Sequence, residues 1–338
     1  IKENEPEKLE KADKFILPKD YIAYKLTGRI LTDFSCASGT AIFDVKRRRW
    51  CYEILENFNL DPQLVPEAVE STTIIGEIGE PLASELGLKS GTPVVSGGAD
   101  TTLQFVSSGA LNPRSLGLTL GTSGNVGVSI DQCPDNPDGI LHVYCHVIPG
   151  KWTIHGCTLS AGGSLEWLKN ILAANEKELA STRSIFERLS QEAADAAPGS
   201  GGVIFFPFLS GERSPYPNPN ARGTFIGLSL KTSRREIVRS VMEGVAYNMR
   251  TIYELMKRNF AVTAEKVFLT GGGAMNNSWR QIIADVFDSE ILVLKYSEKG
   301  AALGAAILAG VSTGMFQSFE KAVSKLEILY RNKPIRDN

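Results

Sequence analysis

A single carboxylate stands beside a glycine pair in the segment Ser96–Thr102. Asp100 lies where an apolar run, Thr92–Ser96, gives way to a helical pattern over Thr101–Ser108. An aspartate at the carboxyl end of a buried strand is well placed for catalysis, because ligands of open α/β folds gather there. The position also suits a plain helix N-cap, although no Glu or Gln three residues later completes a capping box. The local sequence leaves both roles open.

A second glycine-dense turn interrupts the strand-like stretch Leu116–Ile130. Gly121, Thr122, Ser123 and Gly124 bring two hydroxyls and several bare amides together. Such a turn can bind phosphate oxygens through backbone N–H groups. We expect a hairpin whose glycines supply the positive φ angles of a tight turn. An ordinary hairpin turn without a ligand is the favoured alternative on local grounds.

A third turn contains Gly271, Gly272 and Gly273 and leads to Asn276 at the start of a helical pattern. Three successive glycines cost backbone entropy, so we expect a flat ligand such as adenine to approach them closely. A flexible loop with an Asn cap is the alternative. The pair Gly162–Gly163 is a weaker case, in which simple helix packing is favoured.

These parts suit phosphoryl transfer better than most other reactions. A carboxylate can orient an attacking hydroxyl and take its proton, while Mg²⁺ and amide donors hold the phosphates. The sequence contains no P-loop motif, no Rossmann fingerprint and no hydrolase nucleophile elbow. The corresponding NTPase, dehydrogenase and hydrolase classes therefore lose their main support.

The elements that must position these turns alternate between strands and helices. The clearest helix spans Ser233–Arg258, where Ser233 and Glu236 form a capping box. A βαβα order follows, which is typical of a largely parallel sheet flanked by helices. Its parts are the strand Lys266–Thr270, a helix carrying Trp279 to Phe287, the strand Ile291–Lys295 and the helix Lys299–Gly310. Earlier elements are the helix Lys19–Thr27, a strand pair within Leu141–Trp152, a helix carrying Leu165 to Leu168 and the strand Val203–Phe206.

Composition narrows the class of protein. A length of 338 residues favours two domains, which we place at 1–110 and 111–338. The net charge of −2 and the absence of a long basic run make nucleic acid an unlikely partner. Five scattered cysteines argue against a disulfide framework or a structural zinc and fit the cytoplasm. No stretch is apolar enough to cross a membrane. A homodimer stays an open alternative to a monomer.

Two other segments contain residues that could bind a metal ion or a substrate. His142, Tyr144 and His146 share one face of a strand, but Cys145 then points away, so we assign no metal site to them. The proline-rich stretch Phe206–Pro215 favours an ordered surface loop, with an inter-domain or substrate-side element as the alternative.

Taken together, these segments resemble the FGGY family of carbohydrate kinases, most closely its xylulokinase branch. The matching segments run in the family's order along nearly the whole chain. They are Leu17–Tyr21 with Leu26–Gly28, Gly97–Asp100, Gly121–Gly124, Leu141–His146 continuing to Leu159–Leu165, Phe208–Arg213, Asn218–Gly223, Leu269–Gly273 and Ser297–Gly304. Single segments are unspecific, but their ordered combination is not.

The resemblance implies an actin-like ATPase fold, with two ribonuclease H-like domains that close over ATP and a sugar. It implies ATP-dependent phosphorylation of a ketopentose, with D-xylulose expected and gluconate, another pentulose or a non-catalytic nucleotide-binding module as alternatives. The implied cofactors are ATP and Mg²⁺. By the same resemblance, Asp100 is the catalytic residue and contacts the sugar with Thr101. The implied ATP-binding residues are Gly121, Thr122, Ser123, Gly162, Gly272, Gly273 and Asn276.

One family feature has no counterpart in this sequence. The first phosphate loop, an Asp-x-Gly-Thr or Asp-x-Gly-Ser hairpin that also helps to place Mg²⁺, is absent from the 338 residues. The chain also starts without an initiator Met. We therefore expect the first domain to be incomplete, the chain to begin inside a longer protein, and this portion alone to be inactive.

Overall fold

The computed structural model describes residues 2–136, 138–172 and 182–335. The helices are α1 (Pro6–Glu10), α2 (Pro18–Thr27), α3 (Phe34–Ala37), α4 (Tyr52–Asn57), α5 (Leu82–Leu86), α6 (Asp100–Ser108), α7 (Gly162–Leu172), α8 (Thr182–Asp195), α9 (Arg234–Phe260), α10 (Asn277–Phe287), α11 (Ala301–Ser312) and α12 (Phe319–Val323). The strands are β1 (Leu31–Asp33), β2 (Phe43–Asp44), β3 (Arg49–Trp50), β4 (Glu67–Val69), β5 (Ile74–Ile78), β6 (Thr92–Val95), β7 (Ser115–Leu120), β8 (Gly124–Ile130), β9 (His142–Cys145), β10 (Trp152–Thr158), β11 (Ile204–Phe206), β12 (Thr224–Ile226), β13 (Lys266–Thr270), β14 (Ile291–Leu294) and β15 (Ile328–Asn332).

A seven-stranded sheet forms the centre of the second part of the chain, in the order β15-β14-β13-β7-β8-β10-β9. The predicted hairpin is confirmed as the antiparallel pair β7–β8. The expectation of a largely parallel sheet was wrong. In the described part of this sheet, β13 pairs in parallel with β7 and with β14, and the other four pairings are antiparallel. Short hairpin connections on one side of β7 require antiparallel neighbours, whereas helical crossovers serve the parallel side.

Helices cover both faces of this sheet. The predicted long helix is confirmed as α9, with its capping box at Ser233 and Glu236, and it buries Val241, Val245 and Met249 in the main core. The opposite face carries α6, whose Phe105 ring lies where a Cβ on Gly127 would come within 2.1 Å of it. The close approach of α6 to β8 therefore requires a residue without a side chain at that position.

Small two-stranded sheets organise the first part of the chain, namely β1–β4, β2–β3 and β5–β6. The expectation of a buried strand over Thr92–Ser96 was wrong in part. Strand β6 forms there, but Pro93 is exposed and Val94 and Val95 are half-buried. Among the described residues it pairs only with β5, so it is not a central strand of a layered sheet with both faces covered.

The first part of the chain packs directly against the edge of the large sheet. The Ser38 hydroxyl accepts a hydrogen bond from the Cys145 backbone N–H at 3.0 Å, and the Trp152 indole donates to the Val45 carbonyl at 2.9 Å. The predicted boundary at 110/111 falls between α6 and β7 and stays a prediction. Residues 137, 173–181 and 336–338 of the predicted second domain lie outside the described residues. Within those described, no helix is both long and apolar enough to cross a membrane.

Candidate functional site

The hairpin between β7 and β8 is fastened to the first turn of α7. Thr122 O accepts hydrogen bonds from Ala161 N at 2.9 Å and Gly163 N at 3.0 Å, and Gly121 O accepts one from Gly162 N at 2.7 Å. A Cβ on Gly162 would lie 2.5 Å from Gly121 O, so only glycine fits there. The absence of a side chain at Gly162 therefore allows the hairpin and the start of α7 to pack closely. This agrees with the packing role that the sequence favoured for the Gly162–Gly163 pair. Its proposed contact with nucleotide remains untested.

The expectation that the hairpin glycines adopt positive φ angles was wrong. Neither Gly121 nor Gly124 has a positive φ. A Cβ on Gly124 would instead meet the Thr158 methyl group at 2.9 Å and Ala161 Cβ at 3.1 Å. The structure thus requires glycine at Gly124 because β10 and the start of α7 approach closely, and not because the turn is strained.

The three glycines after β13 have three different environments. Gly271 has φ +90° and faces Leu120 O, which a Cβ would approach to 2.6 Å. A Cβ on Gly273 would lie 2.4 Å from the Leu120 side chain. Gly272, in contrast, has nothing within 4 Å of its missing Cβ. Packing requires the outer two glycines, whereas the middle one leaves a bare surface toward open space.

These turns enclose one large cavity of about 1110 Å³. Its walls include six of the seven residues predicted to bind ATP: Gly121, Thr122, Gly162, Gly272, Gly273 and Asn276. Segments that are 40 to 150 residues apart in the sequence thus converge on one concave surface. Ser123, Asp100 and Thr101 are not part of the cavity wall. The volume and the bare surface at Gly272 suit a nucleotide, although they do not by themselves identify it.

The Asn276 side chain is held at both ends. Its Oδ1 accepts a hydrogen bond from Trp279 N at 3.0 Å, which caps α10, and its Nδ2 donates to the Ser190 hydroxyl. The capping role predicted as the alternative is therefore present. Asn276 also lies in the cavity wall, and its two hydrogen bonds tie α10 to α8 beside the cavity.

Asp100 begins α6 and is exposed to solvent. Its Oδ1 accepts hydrogen bonds from Thr101 N at 2.6 Å and from the Thr101 hydroxyl at 3.3 Å. One turn later, Gln104 Oε1 accepts a hydrogen bond from the Thr119 hydroxyl at 3.3 Å. Thr119 lies two residues before the hairpin turn Gly121–Gly124, so α6 is tied to the end of β7 that leads into that turn. The exposed carboxylate is thus carried on a helix that is anchored beside that hairpin.

Ser123 faces the side of the sheet that carries α6. Register pairs His155 with Gly127 and Cys157 with Asn125, and alternate residues of a strand share a face. The rings of Phe105 and His155 are 6.3 Å apart, so His155 and Cys157 point toward α6. Burial raises the pKa of the Cys157 thiol, while the Arg213 charge and a hydrogen bond with Ser123 lower it. The hairpin therefore offers Thr122 to the cavity and Ser123 to the opposite side, where Asp100 lies on its helix.

A buried polar network holds the loop before Asp100. The Ser35 hydroxyl accepts a hydrogen bond from Ala99 N at 2.8 Å and donates to Asp33 Oδ2. Ser71 donates to the same carboxylate oxygen at 2.8 Å. Lys19 Nζ lies 3.2 Å from Asp33 Oδ1 and donates to Ser96 O at 2.8 Å. These contacts fix both ends of the loop Ser96–Ala99, and thereby the start of α6.

The proline-rich stretch Phe206–Pro215 contains a functional candidate that the sequence interpretation missed. Glu212 is buried, and its carboxylate accepts hydrogen bonds from four donors: Thr158 Oγ1 at 2.7 Å, Leu159 N at 3.1 Å, Arg213 N at 2.8 Å and Asn248 Nδ2 at 2.8 Å. The favoured expectation of a surface loop was therefore wrong for the centre of this stretch. A carboxylate so fully bonded can be buried without a paired cation. The one available signal was a charged pair, Glu212 and Arg213, within an otherwise apolar and proline-rich segment.

Comparisons with known proteins agree with this arrangement. Residues 1–107 match the model of the N-terminal domain of the FGGY family of carbohydrate kinases, and residues 116–313 match that of its C-terminal domain. The xylulose kinase of Staphylococcus xylosus is 37% identical over 100% of this chain and 68% of its own length. The gluconokinase of Bacillus subtilis is 32% identical over 97% of this chain and 64% of its own length.

Solved structures show the same fold. The ligand-bound xylulose kinase from Lactobacillus acidophilus superimposes with a TM-score of 0.89 at 27% identity, covering 99% of this chain and 66% of the other. The chain thus spans about two thirds of the length of the relatives that it matches.

Proposed function

The chain belongs to the FGGY family of carbohydrate kinases, and we propose that the full-length protein transfers the γ-phosphoryl group of ATP to the 5-hydroxyl of D-xylulose. The observation that supports this proposal is that the glycine turns converge on one cavity, while the helix that carries Asp100 is bonded to the strand leading into one of those turns. The names of the most similar relatives favour xylulose, and a similar gluconokinase makes gluconate the second candidate substrate.

In the proposed reaction, the nucleotide lies in the cavity with its adenosine end against Gly272 and Gly273. Its phosphates reach the hairpin, where Thr122 and Ser123 provide hydroxyl and amide donors. The Asp100 carboxylate accepts the proton of the sugar hydroxyl, and Thr101 orients Asp100 through its N–H and hydroxyl. The helix anchorage at Gln104 keeps this base beside the hairpin.

The described residues provide no preformed site for Mg²⁺. In the part of the chain that the structure describes, no three His, Cys, Asp or Glu side chains are arranged to hold a metal ion. Mg²⁺ is usually bound through one or two carboxylates together with substrate phosphates and water, and the family resemblance assigns part of its placement to the first phosphate loop, which this sequence lacks. When bound, the ion neutralises the negative charge that develops on the phosphates.

The proposal is tested with the full-length protein and a panel of D-xylulose, other pentuloses and gluconate. We expect ATP-dependent phosphorylation of D-xylulose, with ADP released in equal amount. Asp100→Asn keeps the size of the side chain but removes the base, and we expect kcat to fall by about 10²- to 10⁴-fold. Undiminished turnover in the variant would remove Asp100 from its role. Tight ATP binding without turnover of any sugar would favour a non-catalytic nucleotide-binding module.

The 338-residue chain by itself is expected to phosphorylate D-xylulose poorly. Its sequence has no Asp-x-Gly-Thr or Asp-x-Gly-Ser hairpin, so it cannot supply the family's first phosphate loop. The same sugar panel, run with this chain and with the full-length protein at equal concentration, measures the difference. Comparable turnover numbers would refute this expectation. We further propose a cytoplasmic location, because free thiols and an ATP-dependent reaction both suit that compartment.

A further inference from the structure

Arg213 is an exposed charged residue whose backbone is held firmly. Its N–H donates to Glu212 Oε1 at 2.8 Å. The next residue, Ser214, donates through its N–H to Cys157 O at 3.1 Å and through its hydroxyl to Ile140 O at 2.9 Å. Both neighbours are buried, whereas Arg213 itself is exposed. The Arg213 backbone, from which this side chain extends, is therefore fixed against the end of β10.

No carboxylate of the described residues pairs with the Arg213 guanidinium. Among the described residues, its side chain makes no hydrogen bond and no ion pair, whereas Arg239 and Arg250 each pair with a glutamate four residues later. The adjacent Glu212 carboxylate is already occupied by Thr158, Leu159 and Asn248. An exposed, unpaired arginine on a fixed backbone is suited to a phosphate, which its planar group can bind with two parallel hydrogen bonds.

The position of Arg213 is beside the phosphate hairpin. Cys157, to which Ser214 is bonded, contacts Ser123 through its thiol. The following residue, Thr158, pairs with Gly124 at the other end of the hairpin. Burial is the main cause that lowers the pKa of His142, and the charge of Arg213 lowers it further. Glu212 and Ser214, on either side of Arg213, bond to Cys157, Thr158 and Leu159, so Arg213 lies at the end of β10 that adjoins the hairpin.

We propose that Arg213 is a catalytic residue that contacts the phosphoryl group during its transfer. This inference rests on the proposed kinase function. In the reaction, the bond from the γ-phosphorus to the bridging oxygen of ATP breaks, and a bond to the sugar oxygen forms. ADP leaves with the electron pair, and the hydroxyl proton goes to Asp100. Arg213 stabilises the charge on the equatorial oxygens.

The test uses the full-length protein with Arg213→Gln and Arg213→Lys. For Arg213→Gln we expect kcat to fall at least about 10²-fold, since arginines that act on this charge contribute about 10³ to 10⁵. The KM for the sugar should change little, and Arg213→Lys should restore part of the rate. Affinity for ATP should fall more than affinity for ADP, because only ATP carries the γ-phosphoryl group. A merely structural role would weaken both nucleotides alike.

Arg114→Gln provides the matched control. Arg114 precedes β7, at the opposite end of that strand from the hairpin, and its exposed ion pair with Glu265 contributes little to stability. We expect its kinetics to equal those of the wild type. The inference is overturned if Arg213→Gln keeps kcat within about threefold of an active wild type, or if ATP and ADP are weakened equally. A wild type that phosphorylates no sugar would refute the proposed function, while the comparison of ATP with ADP would still test Arg213.

Discussion

At the scale of single residues, the glycines of the site look alike in the sequence, but they lack a side chain for two different reasons. Gly162 and Gly273 lack a side chain because a neighbouring backbone or side chain fills the space. Gly272 lacks one although the protein leaves that space empty. Only the second group can present a bare surface to a ligand. Substitution by alanine should therefore separate packing from binding.

Gly272→Ala is expected to leave the fold intact and to impair nucleotide binding. Its Cβ meets no protein atom within 4 Å and its φ is not positive, so stability should change by less than about 1 kcal/mol. A methyl group in the path of adenine should raise the KM for ATP about tenfold, the effect of about 1.4 kcal/mol. Steady-state kinetics of the full-length protein and its melting temperature measure the two quantities. An unchanged KM for ATP would place the nucleotide elsewhere.

Gly162→Ala is expected to have the opposite profile. Its Cβ would lie 2.5 Å from Gly121 O, so α7 and the hairpin must move apart. Overpacking of this kind costs about 1–3 kcal/mol, which lowers the melting temperature by several degrees. A scan of thermal unfolding beside Gly272→Ala gives the comparison. Equal melting temperatures of the two variants would show that the hairpin does not depend on this contact.

At the scale of elements, α6 takes its position from residues far away in the sequence. The loop that leads to Asp100 is bonded to Ser35 and Lys19, which belong to α3 and α2. Asp33 is fully buried and is bonded by Ser35 and Ser71. Burial opposes the charge of Lys19, but the charges of Asp33, Cys36 and Asp20 raise its pKa above the usual value. The lysine thus stays charged and holds Ser96.

Ser35→Ala is expected to lower kcat about tenfold with little change in KM, because Ala99 N–H loses its acceptor and the start of α6 loosens. Ser71→Ala is the matched control. It removes an equivalent hydrogen bond to Asp33 but leaves the one to Ala99. Kinetics of both full-length variants, together with their melting temperatures, decide the matter. If the two variants lose the same stability and the same activity, Ser35 has no positioning role.

At the scale of the whole molecule, the large sheet separates the side that carries the cavity from a side shared with the first part of the chain. Two histidines are buried near that second side. Burial is the main cause that lowers the pKa of His146 and of His155 to about 3. His146 Nδ1 accepts a hydrogen bond from Ile148 N at 3.0 Å, so its proton resides on Nε2, beside the Ser129 hydroxyl at 3.1 Å. Both rings are neutral in the folded protein.

The stability of the protein is therefore expected to fall as the pH drops below about 6.5. Between that value and the folded pKa values, the unfolded chain binds protons that the folded chain does not, so the free energy of unfolding decreases. Each histidine should account for about 2 kcal/mol between pH 7 and pH 5. Urea midpoints across this range give the measurement. His155→Phe should remove about 2 kcal/mol of this pH dependence, and a midpoint that is constant from pH 7 to pH 5 would contradict the prediction.

The sequence by itself determined the local features of this protein. The capping box at Ser233, the hairpin at Gly121 and the cap at Asn276 follow from short-range chemistry, and the structure confirms each as an element. The order of the motifs also sufficed to indicate the family. These features depend on residues within a few positions of one another, so the local sequence is enough to predict them.

Only the tertiary structure decided which of these residues can meet a ligand. Gly162 and Gly272 look alike in the sequence, yet one is filled by Gly121 and the other is open. Glu212 is buried because Thr158 and Asn248, distant in sequence, donate to it. Other segments of the chain decide whether the space beside a glycine is filled by protein atoms or left open to a ligand. That is a property of tertiary packing and not of the linear sequence.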